Sequence, residues 1–484
     1  MEKGGSRNLM HPRRILAIAA IVLVVLGTAW MLRDRIGFSK PEPALRGAVL
    51  ILLDTVRADH LDCYGYERET APALARLGEE GVLFEQAISF APWTLPSVIN
   101  LLSGCRITRD VFEGGKLQRS IVENLHGAGF QTAAFTEGGY LSRYYGFDRG
   151  FSLYHEQEGK VHLTMEGEVI DSQRTEGGIE ETFRMARQWL AEHGDEPFFL
   201  FIHTYEPHTP YERRTFTDGL SPGKVGETFS LEKLGPLQKG TLEFDAKDLE
   251  YLTALYDGGI LEADRHVGAF VEFLGERGLG DKTLVVVTSD HGEELGEHFP
   301  TRCGDHGHSL HDTLVHVPLV VHNPIEKYPQ NRVPHQVRLM DVMPTIAEIM
   351  GTSVKGDAAG KSLVPLMRGT ETKGRLAYGT QTKAGPDRIF LRYLGYKYMR
   401  IIAPPPPNQT PLTPSPPPQQ LYDLENDPGE QTNIVGSAPE VLKQMTNIFK
   451  ETRRAGGFGK EDFTVPEETD EKLKERLESL GYTR

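Results

Sequence analysis

From residue 47 onward, short continuous apolar runs alternate with segments whose apolar positions recur at helical spacing. Ala48-Val49-Leu50-Ile51-Leu52-Leu53 is uninterrupted and ends in Asp54, the pattern of a strand buried on both faces. Val82–Ser89, Gln131–Phe135, Pro197–His203, Thr283–Thr288 and Val317–Val321 read as further strands. Between them, helices are predicted over Pro72–Glu80, Gln118–Gly127, Ile179–His193, Leu249–Leu274 and Met340–Met350. Repeated strand–helix alternation predicts an α/β fold around a doubly wound, mostly parallel sheet. No internal repeat is evident.

The pattern changes after about Gly360. Arg388 to Ile401 alternates polar and apolar residues around Gly395, as an antiparallel hairpin does. Residues 403–418 are dominated by proline and predict an exposed extended loop. A strand at Leu421–Leu424 and helices near Pro439–Thr452 and Asp470–Leu480 complete the chain. The expected organisation is a main domain over 47–360 and a smaller α+β subdomain over 361–484.

The first residues add a membrane expectation. Lys3, Arg7, Arg13 and Arg14 precede an uncharged apolar run from Ile15 to Leu32. As a helix rising about 1.5 Å per residue, that run just crosses a hydrocarbon core. A cleaved signal peptide is the alternative, with Gly27-Thr28-Ala29 as a weak cleavage site. Read as an anchor, 15–32 spans the membrane, 1–14 is cytoplasmic, 33–46 is a linker, and the domain faces the periplasm or the extracellular side. The net charge of −15, without basic runs interleaved with aromatics, argues against nucleic acid as a partner. Cys63, Cys105 and Cys303 form neither a disulfide framework nor a zinc spacing.

Candidate chemistry gathers at the ends of the apolar runs. In Ala91-Pro92-Trp93-Thr94-Leu95-Pro96-Ser97, Pro96 opens an apolar helical pattern that Gly104 closes. Thr94 therefore reads either as an ordinary N-cap or as a hydroxyl at a helix N-terminus, where backbone N–H groups favour an anion. Asp54 follows one strand and the Asp290-His291 pair another. A carboxylate beside an imidazole suits a divalent Mn or Zn ion, with turn chemistry and a solvated histidine as the alternative.

Together these residues resemble the sulfatase branch of the alkaline-phosphatase superfamily. Asp54-Thr55-Val56-Arg57-Ala58-Asp59-His60 with Cys63-Tyr64-Gly65-Tyr66 is similar to its opening motif, and Thr288-Ser289-Asp290-His291-Gly292-Glu293 to its second metal motif. Gly307-His308-Ser309-Leu310 and Val317-Pro318-Leu319 resemble the segment that follows, and Leu421-Tyr422-Asp423-Leu424-Glu425-Asn426-Asp427-Pro428-Gly429-Glu430 the C-terminal signature. The family's nucleophile motif is Cys or Ser-x-Pro-Ser-Arg; here it reads Thr94-Leu95-Pro96-Ser97-Val98. The Lys-x-His pair expected after the strand at 131–135 is replaced by Thr136-Glu137-Gly138-Gly139-Tyr140.

A threonine cannot become formylglycine, the aldehyde that sulfatases make from Cys or Ser. Relatives that transfer phosphoethanolamine or glycerol phosphate do use a Thr nucleophile. The resemblance then implies that Asp54, Thr94, Asp290 and His291 hold one divalent ion, Mn or Zn favoured over Ca. It also implies that His208 and His308 hold a non-bridging oxygen or protonate the leaving group, while His203 packs behind. The expected protein is a membrane-anchored, metal-dependent hydrolase of anionic sulfate or phosphate esters, with phosphoryl chemistry favoured. Transfer of a phosphoryl group to an envelope acceptor, and an inactive binding protein of the same fold, are the alternatives.

Overall fold

The computed structural model describes residues 45–107, 111–113, 115–157, 178–354, 358–405, 407 and 412–454. The expected anchor, cytoplasmic segment and helix at 470–480 lie outside these residues, as do nearly all of the linker and part of the Pro-rich loop. Among the described residues no helix is long and apolar enough to cross a membrane.

Eight strands form the main sheet: β1 (Gly47–Leu53), β2 (Val82–Phe84), β3 (Gln131–Thr136), β4 (Leu153–Glu156), β5 (Phe198–Thr204), β6 (Thr283–Ser289), β7 (Leu319–His322) and β8 (Arg332–Val333). Their order is β8-β2-β7-β6-β1-β5-β3-β4. β1 is buried along its whole length between parallel partners β5 and β6, as its unbroken apolar run predicts. The sheet is parallel except for β7, which runs antiparallel to both β6 and β2. The chain between β6 and β7 contains no long crossover helix, so β7 returns against its neighbour.

The main helices are α1 (Pro72–Glu80), α2 (Thr94–Ser103), α3 (Val122–Gly127), α4 (Gly178–His193), α5 (Ala246–Glu276), α6 (Val342–Ile349) and α7 (Pro439–Arg454). α4 and α5 contribute Phe183, Trp189, Leu255 and Phe270 to a core shared with β1, β3, β5 and β6. Aspartate caps α5: Asp245 accepts from Lys247 and Asp248 N–H, and Asp248 returns a bond to the Asp245 N–H.

Several expected elements differ in the structure; the strand at Val317–Val321, for one, splits at Pro318 between two sheets. The strand at Val82–Ser89 breaks after Phe84, because Glu85 and Gln86 turn out to meet Arg332 and Arg392. Ala87–Ile88 then pairs in a separate three-stranded sheet with His316–Val317 and Val337–Arg338. The helix expected from Gln118 begins at Val122, where Ser120 Oγ accepts from the Val122 N–H and the Glu123 carboxylate accepts from the Ser120 N–H.

The C-terminal part is an antiparallel sheet of β9 (Ala377–Gln381), β10 (Asp387–Tyr393), β11 (Tyr396–Ala403) and β12 (Gln419–Asp423). It belongs to one compact unit with the main sheet. Phe390, Met399 and Tyr422 pack on Ile88, Leu310 and Leu314 across the joint. Beside them Lys397 Nζ lies 2.7 Å from Asp312 Oδ1 and 3.1 Å from Glu430 Oε1, while Arg392 Nη2 lies 3.2 Å from Asp312 Oδ2. The lysine and arginine hold the Asp312 carboxyl below the usual carboxylate range, against the effect of its burial.

Candidate active site

The register of the central strands builds the site. Leu53 of β1 lies opposite Thr204 of β5 and Ser289 of β6, so all three strands end on one row. Asp54 and Asp290 are the next residues, at the carboxyl edge where open α/β sheets collect ligands. The edge is braced: Val56 N–H donates to Ser289 Oγ, and Tyr256 OH bonds the Thr55 carbonyl. Arg57 joins the loop after β1 to the loop after β6 through Asp59, Glu297 and the Glu293 carbonyl. Thr55 adopts φ of 60°, a left-handed conformation that β-branched residues avoid. Such an outlier beside Asp54 is the kind of local strain that collects at functional sites.

α2 carries Thr94 to this edge. All ten of its residues are buried, and Gly104 closes it at φ of 62°. Ser97 Oγ donates to the Asp290 carbonyl at 2.6 Å, fixing the helix against the end of β6. Thr94 is the first helical residue, and Trp93 stands at the cap position without a side-chain cap bond. The Thr94 hydroxyl lies 3.5 Å from Asp54 Oδ2 and 3.3 Å from His291 Nε2.

Asp54, Asp290 and His291 offer ligand atoms that all lie within 4.8 Å of one another, and all three side chains are buried. Asp54 Oδ1 and Asp290 Oδ2 have no hydrogen-bond partner. The His291 Nδ1–H donates to the Gly292 carbonyl at 2.8 Å, leaving Nε2 as the nitrogen with a lone pair facing the cluster. Two oxygens without donors and one oriented imidazole nitrogen fit a divalent cation. Burial pushes both carboxyls well above their ordinary range, aided by Glu137 at Asp54 and by Asp54 at Asp290. Burial likewise holds His291 well below its ordinary value.

The other expected residues divide. His203 packs behind, with Nε2 3.1 Å from Asp54 Oδ2. His208 Nδ1 donates to the Thr209 carbonyl, which makes Nε2 its basic nitrogen, and burial pulls the ring down to about 3. His308 packs edge-on against Phe299, with 5.2 Å between ring centroids, and neither of its nitrogens has a hydrogen-bond partner. The ring that approaches His291 is instead His306, at 4.4 Å, and it also lies 5.0 Å from His208. Glu293 orients it, accepting from His306 Nδ1 at 3.0 Å and from Tyr211 OH at 2.8 Å.

Lys383 is absent from the sequence reading. It sits in the turn between β9 and β10, its ammonium 5.4 Å from the Trp93 ring centroid and 5.6 Å from that of Tyr140. Burial lowers it to about 7, against the pull of Asp305, Glu293 and Asp54. Nothing in Thr382-Lys383-Ala384-Gly385-Pro386 distinguishes it from a solvated turn lysine.

Comparison with known proteins agrees with this architecture. Residues 47–352 match the Sulfatase family. Arylsulfatase K of Xenopus laevis is 26% identical over 303 residues, covering 54% of this chain and 53% of the relative. The multifunctional alkaline phosphatase superfamily protein PehA of Trinickia caryophylli is 26% identical over 298 residues, covering 52% of this chain and 54% of its own. The chain thus spans about half the length of these two curated relatives. The solved phosphonate monoester hydrolase of Agrobacterium radiobacter superposes with a TM-score of 0.66 at 19% identity, covering 85% of this chain and 95% of that one. With the strand-edge cluster of Asp54, Asp290 and His291 inside the matched region, the chain belongs to the sulfatase family of the alkaline-phosphatase superfamily.

Proposed function

We propose that the protein is a metal-dependent hydrolase of sulfate, phosphate or phosphonate esters, with Thr94 as its nucleophile and phosphoryl chemistry favoured. The observation that carries this reading is the Thr94 hydroxyl, which faces Asp54 and His291 at the carboxyl edge of the sheet. Thr94 Oγ1 forms the new bond to phosphorus or sulfur as the bond to the leaving alcohol breaks, and water then releases the threonine. A divalent ion held by Asp54, Asp290 and His291 would supply Lewis acidity at the reacting oxygens. His208 Nε2 and the His306–Glu293 pair offer neutral proton acceptors at the same edge.

Likeness to the phosphonate monoester hydrolase of Agrobacterium radiobacter supports a phosphorus centre, and likeness to arylsulfatase K a sulfur one. A panel of aryl sulfate, aryl phosphate, aryl phosphodiester and aryl phosphonate monoester tests the reading. Turnover of at least one phosphorus ester is expected, with phosphothreonine at residue 94 trapped after brief exposure. Activity confined to aryl sulfate would overturn the phosphoryl preference. No turnover on any of the four would overturn the hydrolase.

We also infer that residues 15–32 anchor the protein, with the domain outside the cytoplasm. Their apolar run behind four basic residues supports this. Full-length protein should fractionate with membranes, and protease added from outside should digest everything beyond Arg35. A soluble product beginning near Trp30 would show a cleaved leader instead.

A further inference from the structure

Among the described residues, three acids act at the Thr94 site. Asp54 and Asp290 lie within it, and Glu137 acts on Asp54 from the end of β3. Glu137 is held there as a buried acceptor of the Tyr205 N–H. Val98, one helical turn after Thr94, contributes no charge. Lys383 is the cation whose field reaches Asp54, Glu293 and Asp305 together.

Several contacts fix that lysine in place. Ala384 N–H and Gln381 Nε2 both donate to the Gly307 carbonyl at 3.1 Å, pinning the turn between β9 and β10 to the loop after β6. Gly307 itself, at φ of 78°, gives the stem room: a Cβ there would come within 2.8 Å of Lys383 Cδ. The ammonium then rests against the Trp93 and Tyr140 rings, which meet edge to face at 5.3 Å. Trp93 directly precedes Thr94 in the chain.

We propose that Lys383, supplied by the C-terminal sheet, binds a non-bridging oxygen of the substrate and sets the pocket for esters with one negative charge at the reacting centre. This rests on the reading of the Thr94 pocket as an ester site. A divalent ion would offset Asp54 and Asp290, and Lys383 would offset one further charge, while Glu137 and the Thr94 oxygen add negative charge. A second charge on the reacting centre would add to the repulsion from Glu137 and the Thr94 oxygen. Phosphodiesters, phosphonate monoesters and sulfate monoesters therefore suit the pocket better than dianionic phosphate monoesters. Lysine contributes a compact point charge with rotatable donors, so a single oxygen suffices for its contact.

Paired probes of equal chemistry and different charge test this without turnover. Calorimetry at pH 7, where Lys383 still carries much of its charge, compares on the metal-loaded full chain carrying Thr94→Ala dimethyl phosphate, a monoanion, with methyl phosphate, mostly a dianion. Dimethyl phosphate should bind more tightly. Adding Lys383→Met should weaken its binding roughly 10- to 100-fold, the range for a lost charged hydrogen bond. Lys383→Arg, which keeps the charge, should retain most of the affinity. Unchanged binding in Lys383→Met, tighter binding of methyl phosphate, or binding of neither probe would overturn the proposal. Lys383-dependent binding together with failure of the wild type on every aryl ester would support it while refuting hydrolysis.

Discussion

Thr94→Ala should abolish turnover and leave the fold in place. An activated nucleophile is worth on the order of 5–8 kcal/mol of barrier, so the expected loss is roughly ten-thousand-fold or more. Stability should fall by only about 1 kcal/mol, the net value of an ordinary hydrogen bond. The asymmetry follows from the geometry. The hydroxyl's neighbours are Asp54 and His291. Thr94→Ser keeps the hydroxyl and should retain much of the rate. Steady-state kinetics beside thermal melts separate the two effects, and wild-type activity in Thr94→Ala would refute the assignment.

The second large effect concerns the metal. One divalent ion per chain is expected in the reconstituted protein, and Asp290→Asn should remove it. Asparagine suits the test because the two oxygens of Asp290 have different tasks. Oδ1 accepts from the Thr55 and His291 N–H groups, which the amide oxygen reproduces, while Oδ2 has no hydrogen-bond partner. The variant should therefore fold and bind no ion. An ion present at a thousand times its dissociation constant stabilises the folded state by about 4 kcal/mol. Chelation should lower the melting temperature of the wild type by several degrees and leave Asp290→Asn unchanged. Equal metal content in the two proteins would remove the site.

Most of the site was legible because its residues end strands. A run such as 48–53 announces its burial, and the first polar residue after it marks where the sheet opens. Asp54 and Asp290 needed only that logic, and the resemblance aligned Thr94 with them. The sequence could not place Thr94 one residue inside its helix, because cap and first helical position differ only in backbone angles. Nor could it show that His306, and not His308, approaches His291: the two alternate along one loop whose path depends on packing. Glu293 stood inside a quoted motif, yet its role in orienting His306 emerged only in three dimensions. Lys383 was the hardest to find, since its neighbours come from the far end of the chain and local pattern holds no trace of them.

The turn that carries Lys383 has a consequence for altering this protein. The reacting hydroxyl and the candidate metal ligands sit on α2 and the ends of β1 and β6, whereas the ammonium hangs from a β9–β10 tip held by bonds to one glycine carbonyl. Bond-breaking machinery and substrate discrimination are thus written in separate parts of the chain. A combinatorial library confined to residues 382–386 would search new selectivities while the reactive bed stays untouched. Inheritance could exploit the same separation, letting the tip diverge quickly above a conserved chemistry.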